Sequence, residues 1–168
     1  MNQPFPFRLP SAIPVSLLAL LLCLLPTLQS AEFQVVNNSD FDPGSLRAAL
    51  SAAGSGDVIT FDPILSGATI TLTTGALEIT DNLVIDASAL DEPLTISGNN
   101  TFRVFTVSTG ITATLRSLVI RNGRSAPGML GTPSTPGADG GGILHEGTSL
   151  TLIDCTLTEN RSGNGGAG

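Results

Sequence analysis

A short apolar–polar–apolar pattern recurs along this chain at intervals of a few tens of residues. Residues 113–120 (ATLRSLVI) return in altered form at 150–157 (LTLIDCTL), at an offset of 37. A looser copy, residues 94–96 (LTI), precedes residues 118–120 by 24 positions. Such self-similarity is typical of stacked repeats, in which each unit buries its apolar face only against its neighbours. The pattern therefore predicts an extended array and not one closed globule.

Short segments before and between these copies have the composition of β-strands. Each is three or four residues long with alternating apolar residues, and Gly, Asn, Asp, Pro or Ser separates most of them. An antiparallel sandwich, the competing fold, would need Asn-Gly or Asp-Gly hairpin turns, but the Asn-Gly at 122–123 leads into a loop. We therefore predict an all-β fold, a right-handed parallel β-helix (solenoid) with like residues stacked in columns. The predicted strands are 33–36, 58–61, 70–72, 77–79, 83–85, 94–96 and 104–107.

One amphipathic helix is predicted at 45–53 (SLRAALSAA), with Asp42-Pro43 or Ser45 as its start signal and Gly54 as its stop. A helix placed before a strand array can cover the end of that array, which otherwise exposes apolar side chains and unpaired backbone. We expect residues 32–56 to form an N-terminal strand and this short capping helix. The predicted inward face of the helix consists of Leu46, Ala49, Leu50 and Ala53.

Residues 1–31 have the pattern of a secretory signal peptide. Arg8 precedes an apolar run at 13–25, and small residues suited to cleavage follow at 27–31. The run is shorter than the roughly 20 apolar residues that span a bilayer. We therefore expect no membrane span after cleavage, and an exported protein that is secreted or held at the cell surface.

The chain without this segment is acidic. It carries six arginines against 14 Asp and Glu, a formal charge of −8. Nucleic-acid binding needs a basic face, so no nucleic-acid partner is expected. Cys155 is the one cysteine left after cleavage, which excludes an intramolecular disulfide framework and suggests a small buried side chain.

Residues 57–168 are expected to form the β-helix coils, with an inserted loop at 124–142. Three of the 19 loop residues are Pro and six are Gly, so neither helix nor strand is expected. The Gly-rich tract at 162–168 resembles the one at 140–142, which predicts that another coil follows. An open last coil exposes a strand edge that self-association could cover.

Several longer stretches carry a family resemblance: DPGSLRAAL, LTTGALEITDNLVIDA, LTISGNNTFRVFTV, TLRSLVIRNG and GGGILHEGTSLTLIDCTLTEN. Residues 33–160 resemble the start of exported right-handed parallel β-helix repeat proteins of bacteria, similar to polymorphic outer membrane proteins and autotransporter passengers. Residues 141–144 (GGIL) are similar to one repeat motif of that group, and residues 157–160 (LTEN) are similar to the other with Leu in place of Phe.

The resemblance implies a stalk or display surface in adhesion, anchored by a C-terminal element. We expect a non-enzymatic exported scaffold, surface-displayed or secreted, that binds an extracellular surface or polysaccharide. One alternative is a polysaccharide-binding or pectate-lyase-like enzyme on the same fold. The other is a truncated fragment of a larger surface protein.

The enzyme alternative would need carboxylates for Ca²⁺ binding or for general acid–base work. The acidic candidates occupy turn positions, where Asp commonly bonds its own backbone, so we interpret them as solvated turn residues. His145-Glu146 is interpreted as a surface pair at a strand end, and residues 40–44 as the lead-in to the helix. No catalytic residue, metal ligand or cofactor site is assigned. The acidic candidates are Asp81, Asp86, Asp91, Glu92 and Asp154.

Three asparagines follow predicted inward positions: Asn99, Asn122 and Asn160. Side chains of this kind can form a hydrogen-bonded ladder where successive coils turn. The offset of Asn122 makes the ladder imperfect, so a ladder or a turn is the expected role.

Overall fold

The strands of this protein pair in parallel throughout the computed structural model, which describes residues 30–128 and 136–164. The signal-peptide prediction falls outside these residues except at its last two positions. Within them the protein is mostly β, with a single α-helix.

The strands are short, mostly three to five residues, and turns or loops separate them. In chain order they are β1 (Glu32–Val35), β2 (Val58–Phe61), β3 (Thr69–Thr71), β4 (Leu77–Ile79), β5 (Leu83–Asp86), β6 (Leu94–Ser97), β7 (Phe105–Val107), β8 (Thr112–Arg116), β9 (Leu118–Arg121), β10 (Ile143–His145), β11 (Ser149–Ile153) and β12 (Thr156–Thr158). The helix α1 (Leu46–Ala52) lies between β1 and β2, and a 3₁₀ turn (Pro63–Leu65) follows β2.

The strands form three parallel sheets, which the chain visits in cyclic order. The first sheet has the order β1-β2-β5-β8-β11, the second β3-β6-β9-β12 and the third β4-β7-β10. Each strand from β2 to β9 therefore pairs with the strand three places later in the chain, and β2 also pairs with β1.

The strand register confirms the two repeat offsets. Leu94 pairs with Leu118 at an offset of 24, and Leu115 pairs with Leu152 at an offset of 37. Residues that align in the sequence are therefore hydrogen-bonded neighbours in the structure. The predicted stacking of like residues in columns is confirmed for these strands.

The core consists of the inward columns of the three sheets. Ile59, Ile85 and Leu115 form one fully buried column of the first sheet. Side chains alternate between the two faces of a strand, so each strand gives one or two residues to the core. Full burial of an aliphatic side chain contributes about 1.5–3 kcal/mol. Equivalent columns are Ile70, Ile96 and Ile120 in the second sheet, and Leu77 with Phe105, and Ile79 with Val107, in the third.

The repeated stretch 113–120 forms parts of two strands, β8 and β9. Ser117 separates β8 from β9 and has a φ of 55°, and Asp154 has a φ of 52° at the matching place between β11 and β12. One residue in the left-handed region turns the chain from the first sheet into the second. Ser is not a usual residue for this conformation, so the sequence carries no signal of the corner.

The helix is one residue shorter at each end than the predicted range 45–53, and Ser45, one of the two predicted start signals, is its N-cap. The Ser45 side chain caps it by accepting from the Ala48 N–H at 3.3 Å. The C-cap is Ala53, whose N–H donates to the Ala49 carbonyl before the backbone becomes extended, so Gly54 does not end the helix. The helix packs against β1 and β4 through its predicted apolar face: Leu46, Ala49, Leu50 and Ala53 are buried.

The described ends of the predicted inserted loop contact each other and the last part of the chain; residues 129–135 lie outside the described residues. The Ala138 N–H donates to the Ala126 carbonyl at 2.9 Å, and the Gly163 N–H donates to the Ala138 carbonyl at 3.0 Å. A Cβ atom on Gly141 would collide with the Arg161 carbonyl, so the close backbone approach requires glycine there.

The inward side chains of the last two strands remain partly exposed. Leu152 and Leu157 are 39% and 48% exposed, whereas Leu115 and Ile120, their neighbours in the same columns, are fully buried. No further strand covers them within residues 30–128 and 136–164.

The column packing makes a direct prediction for the second sheet. Ile96→Ala should lower the free energy of unfolding by about 2–5 kcal/mol, because it leaves a cavity between Ile70 and Ile120. Thr95→Ala, on the outward side of the same strand, should change it by less than about 1 kcal/mol. The free energy of unfolding of both variants is measured by urea unfolding, with circular dichroism as the signal. Equal losses would contradict the assignment of the inward face.

Candidate functional site

The outward face of the second sheet presents a regular array of side chains. Its positions form two columns, in which neighbouring strands lie about 4.8 Å apart. Most of these side chains are at least partly exposed, but Ser97 is buried and its Oγ accepts from the Asn99 N–H at 3.2 Å. The columns are Thr69, Thr95, Val119 and Thr156, and beside them Thr71, Ser97, Arg121 and Thr158. The face is a grid of short, mostly hydroxyl-bearing side chains without a deep cleft.

The acidic residues considered for catalysis are spread over separate turns. Asp86 accepts from the N–H of Ser88, two residues on, and lies 3.6 Å from Arg116. Asp81 accepts from the Ser55 hydroxyl at 3.2 Å, and Asp154 occupies the left-handed corner before β12. Among residues 30–128 and 136–164, no three His, Cys, Asp or Glu side chains come together in a way that could hold a metal ion.

The pair His145-Glu146 lies at the end of β10, as the sequence suggests. His145 is paired in register with Val107, which is itself paired with Ile79. It therefore continues an inward column of the third sheet but is exposed there. The predicted surface position is observed, and the inward register is a finding that the sequence did not indicate.

Cys155 is half-buried and packs against the core. Its thiol donates to the Leu115 carbonyl at 3.4 Å. This agrees with the prediction of a small side chain at an inward position, although burial is incomplete.

The asparagines at the corners do not form a ladder. Asn160 bridges two layers, because its Oδ1 accepts from the Gly123 N–H and its Nδ2 donates to the Ile120 carbonyl, both at 2.8 Å. Asn99 and Asn122 have φ values of 56° and 52°, so they serve as turn residues. The structure thus divides the two predicted roles between different residues.

A buried carboxylate connects the helix to the segment between β3 and β4. Asp40 has a side chain that is only 2% exposed, and its Oδ1 lies 2.7 Å from Arg47 Nη2. Its Oδ2 accepts from the backbone N–H groups of Thr73 and Thr74, at 2.8 and 2.9 Å, and from both threonine hydroxyls. Asp40, expected to be part of the helix lead-in, is therefore the centre of a hydrogen-bond network.

The same arginine extends the network towards the third sheet. Arg47 Nη1 donates to the Ala76 carbonyl and Nη2 to the Gly75 carbonyl, both at 2.7 Å. These carbonyls lie directly before β4, against which α1 packs. The network thus fixes the helix to the segment between β3 and β4. Directly bonded members are separated by up to 34 residues in the chain, so a local sequence pattern could not reveal the network.

The hydrogen bonds control the ionisation of the carboxylate. Burial raises the pKa of Asp40, but the hydrogen bonds from the Thr73 backbone, from Arg47 and from the two threonine hydroxyls outweigh burial and lower the pKa from 3.8 to about 2. The group is therefore ionised at neutral pH. Every partner is a donor that favours the charged form, which suits a structural role better than proton transfer.

One shallow groove lies between β1 and α1. Its lining is apolar and small, with Phe33, Ala48 and Ala52 among the contributors. Its volume of about 190 Å³ is below the roughly 300 Å³ of typical small-molecule sites. The groove is too small to enclose such a ligand.

Comparison with known proteins adds no family. A scan against protein-family models found no match, and searches of curated proteins and of solved structures also returned none. Separately, none of the helices in the part of the chain that the structure describes is long and apolar enough to cross a bilayer.

The Asp40 network predicts a specific pH dependence. A folded-state pKa below the unfolded value stabilises the protein above about pH 4, and this contribution disappears as the pH falls towards 2. The shift corresponds to about 2 kcal/mol. Asp40→Asn should lose at least this amount at pH 7, because its amide presents a donor to donor groups. Its free energy of unfolding should also vary less than that of the wild type between pH 4 and 2.

The matched control is Asp91→Asn, which removes the same charge from an exposed position. It should leave the free energy of unfolding within about 0.5 kcal/mol of the wild type. The free energy of unfolding of all three proteins is measured by thermal unfolding at several acidic and neutral pH values. Parallel pH curves for the wild type and Asp40→Asn would rule out this role for Asp40.

Proposed function

We propose that the chain is a right-handed parallel β-helix and that it acts as an exported, non-enzymatic scaffold that binds an extracellular surface or polysaccharide. The observation that carries the fold is the cyclic order of the strands. Three sheets are visited in turn, and each strand from β2 to β9 pairs with the strand three places later. Parallel strands joined by crossover connections are right-handed in about 98% of cases, which supports the proposed hand.

The helix supports the proposed N-terminal cap. It packs against β1 and β4, which are edge strands of the first and third sheets. Leu46 and Leu50 are buried in this contact, so the helix shields core side chains that water would otherwise reach.

The scaffold role is supported by the surface of the sheets. Outward positions form regular columns of short polar side chains, and a repeat array of this kind offers a long, flat surface to a partner. The acidic residues considered for catalysis are instead spread over separate turns, where Asp81 and Asp86 accept local hydrogen bonds. Export is supported by the charge and apolar pattern of residues 1–31.

Self-association is a further part of the proposal. The exposed inward side chains of β11 and β12, Leu152 and Leu157, present apolar surface beside strand edges that pair with no other strand among residues 30–128 and 136–164. Surfaces of this kind pair readily with another chain.

Engineered disulfides test the β-helix. Cysteine pairs at in-register outward positions should close in all three sheets, because their Cα atoms lie about 4.8 Å apart and disulfides span 4.4–6.8 Å. The background is residues 32–168 with Cys155→Ala. The pairs are V84C with T114C, T95C with V119C, and E78C with T106C. Mass spectrometry before and after mild oxidation measures closure.

The control pair is V58C with T114C, which lies in the same outward column but two strands apart. That distance of about 10 Å is too long for a disulfide. If the control closes as readily as the in-register pairs, or if one sheet fails to give its disulfide, the proposed coil arrangement is wrong.

Expression of the full chain in a bacterium tests the function. We expect export with a new N-terminus at Ala31 or Glu32, seen by intact mass, whereas a chain lacking residues 1–31 should stay in the cytoplasm. The exported protein, incubated with polygalacturonate and Ca²⁺, should release neither unsaturated products nor new reducing ends. An uncleaved cytoplasmic product would contradict export, and released products would contradict the non-enzymatic role.

A further inference from the structure

Positive charge is unevenly distributed along this acidic chain. Residues 32–92 contain ten acidic residues and one arginine, whereas residues 93–168 contain four acidic residues and five arginines. The later part therefore has a net charge of +1, against −9 for the earlier part. An anionic partner would be attracted to the later part of the chain.

Three of the later arginines stand at matching places in successive layers. Arg124 and Arg161 form an in-register parallel bridge, and the Arg161 N–H donates to the Gly123 carbonyl at 2.8 Å. The Arg124 N–H donates in the same way to the Phe102 carbonyl at 2.9 Å, which sets Arg124 beside Arg103. Paired residues of a parallel ladder project to the same face, so we name these three the arginine column.

The first member of the arginine column is already engaged by the protein. Arg103 donates through Nε to the Gly140 carbonyl and through Nη2 to the Asp139 carbonyl, both at 2.8 Å. Its guanidinium therefore holds the returning end of the Gly-rich segment. Arg124 and Arg161 are exposed and are left to interact with solvent or a ligand.

Arg124 and Arg161 differ from the other arginines in having no partner. Their guanidinium groups make no hydrogen bond and no ion pair within residues 30–128 and 136–164, and the segments outside those ranges contain no Asp or Glu. Of the other arginines that the structure describes, Arg103 donates to backbone carbonyls and the remaining three each have a carboxylate partner. These pairs are Arg47 with Asp40, Arg116 with Asp86, and Arg121 with Glu159.

Two unpaired like charges in register are unfavourable by themselves, because like charges directly opposite each other destabilise a sheet. Their backbones are nevertheless held firmly. Ser125 is buried next to Arg124, its hydroxyl donates to the Ala138 carbonyl, and the Gly163 N–H donates to that hydroxyl at 2.8 Å. The paired backbone therefore keeps residues 124 and 161 side by side.

We propose that Arg124 and Arg161 bind the acidic groups of an anionic polysaccharide. Two guanidinium forks side by side match the oxygens of carboxylate or sulfate groups, which accept bidentate hydrogen bonds from arginine. A polysaccharide whose charges are well separated suits so small a cationic surface. The net charge of −8 on residues 32–168 repels densely charged nucleic acids and anionic membranes. The choice of a polysaccharide rests on the proposed extracellular function, but binding of anions by the pair does not.

Binding measurements on residues 32–168 test this site. Titration calorimetry at low salt uses polygalacturonate for carboxylate, dextran sulfate of low degree of substitution for sulfate, and neutral dextran as the uncharged control. The wild type should bind at least one anionic polymer and not dextran. R124Q and R161Q should each weaken binding by about tenfold, and the affinity of the double variant should depend less on salt.

The matched control is R116Q, which removes the same charge from an arginine that is paired with Asp86. It should bind within about twofold of the wild type. Without ligand, R124Q should unfold at the same temperature as the wild type or higher, because repulsion within the pair is removed. With ligand, the rise in unfolding temperature should be smaller than for the wild type.

R124K with R161K provides a second variant that keeps the charge and loses the planar forks. It should bind more weakly than the wild type and more strongly than the double glutamine variant. The proposal is overturned if the wild type binds neither anionic polymer, if R116Q weakens binding as much as R124Q, or if only nucleic acid or anionic vesicles bind. Failure of export in the earlier experiment would leave these binding results unchanged, so the two failures are distinguishable.

Discussion

In-register parallel pairing is the constraint on which the rest of this structure depends. A parallel ladder places each residue beside its equivalent in the next strand, so apolar columns such as Ile59, Ile85 and Leu115 extend through several layers. A shift of one residue in any strand would turn its apolar side chains outward. The corners must then bring the chain back at a fixed position, and Ser117 and Asp154 do so with the same left-handed backbone.

The beginning of the array is stabilised by a different kind of interaction. The first strands have neighbours on one side only, and α1 packs against two of them. Hydrophobic contact alone does not orient a helix, whereas the charged hydrogen bonds of Asp40 and Arg47 have defined directions. A fully paired buried carboxylate therefore defines how the helix is seated, and its low pKa follows from the number of donors around it.

The arginine column shows that the same ladder can also act against stability. Parallel pairing brings like residues together whether they are isoleucines or arginines, and only the apolar columns gain from it. At Arg47, Arg116 and Arg121 a carboxylate offsets the charge. At Arg124 and Arg161 none does, and this departure from the pattern is what suggests a ligand.

The sequence by itself determined the repeat offsets, the parallel pairing, the apolar face of the helix and most of the strands. These depend on local alternation and on self-similarity, which are visible in the order of residues. The pairing of Arg124 with Arg161 follows the sequence offset of 37. The corner at Ser117, the Asp40 network and the lack of a carboxylate partner at these two arginines among the described residues were decided only by the tertiary structure. In each case the deciding contacts join residues that are distant in the chain, or use a backbone conformation that the residue type does not favour. Such contacts form only after the layers have stacked, because stacking sets which residues meet.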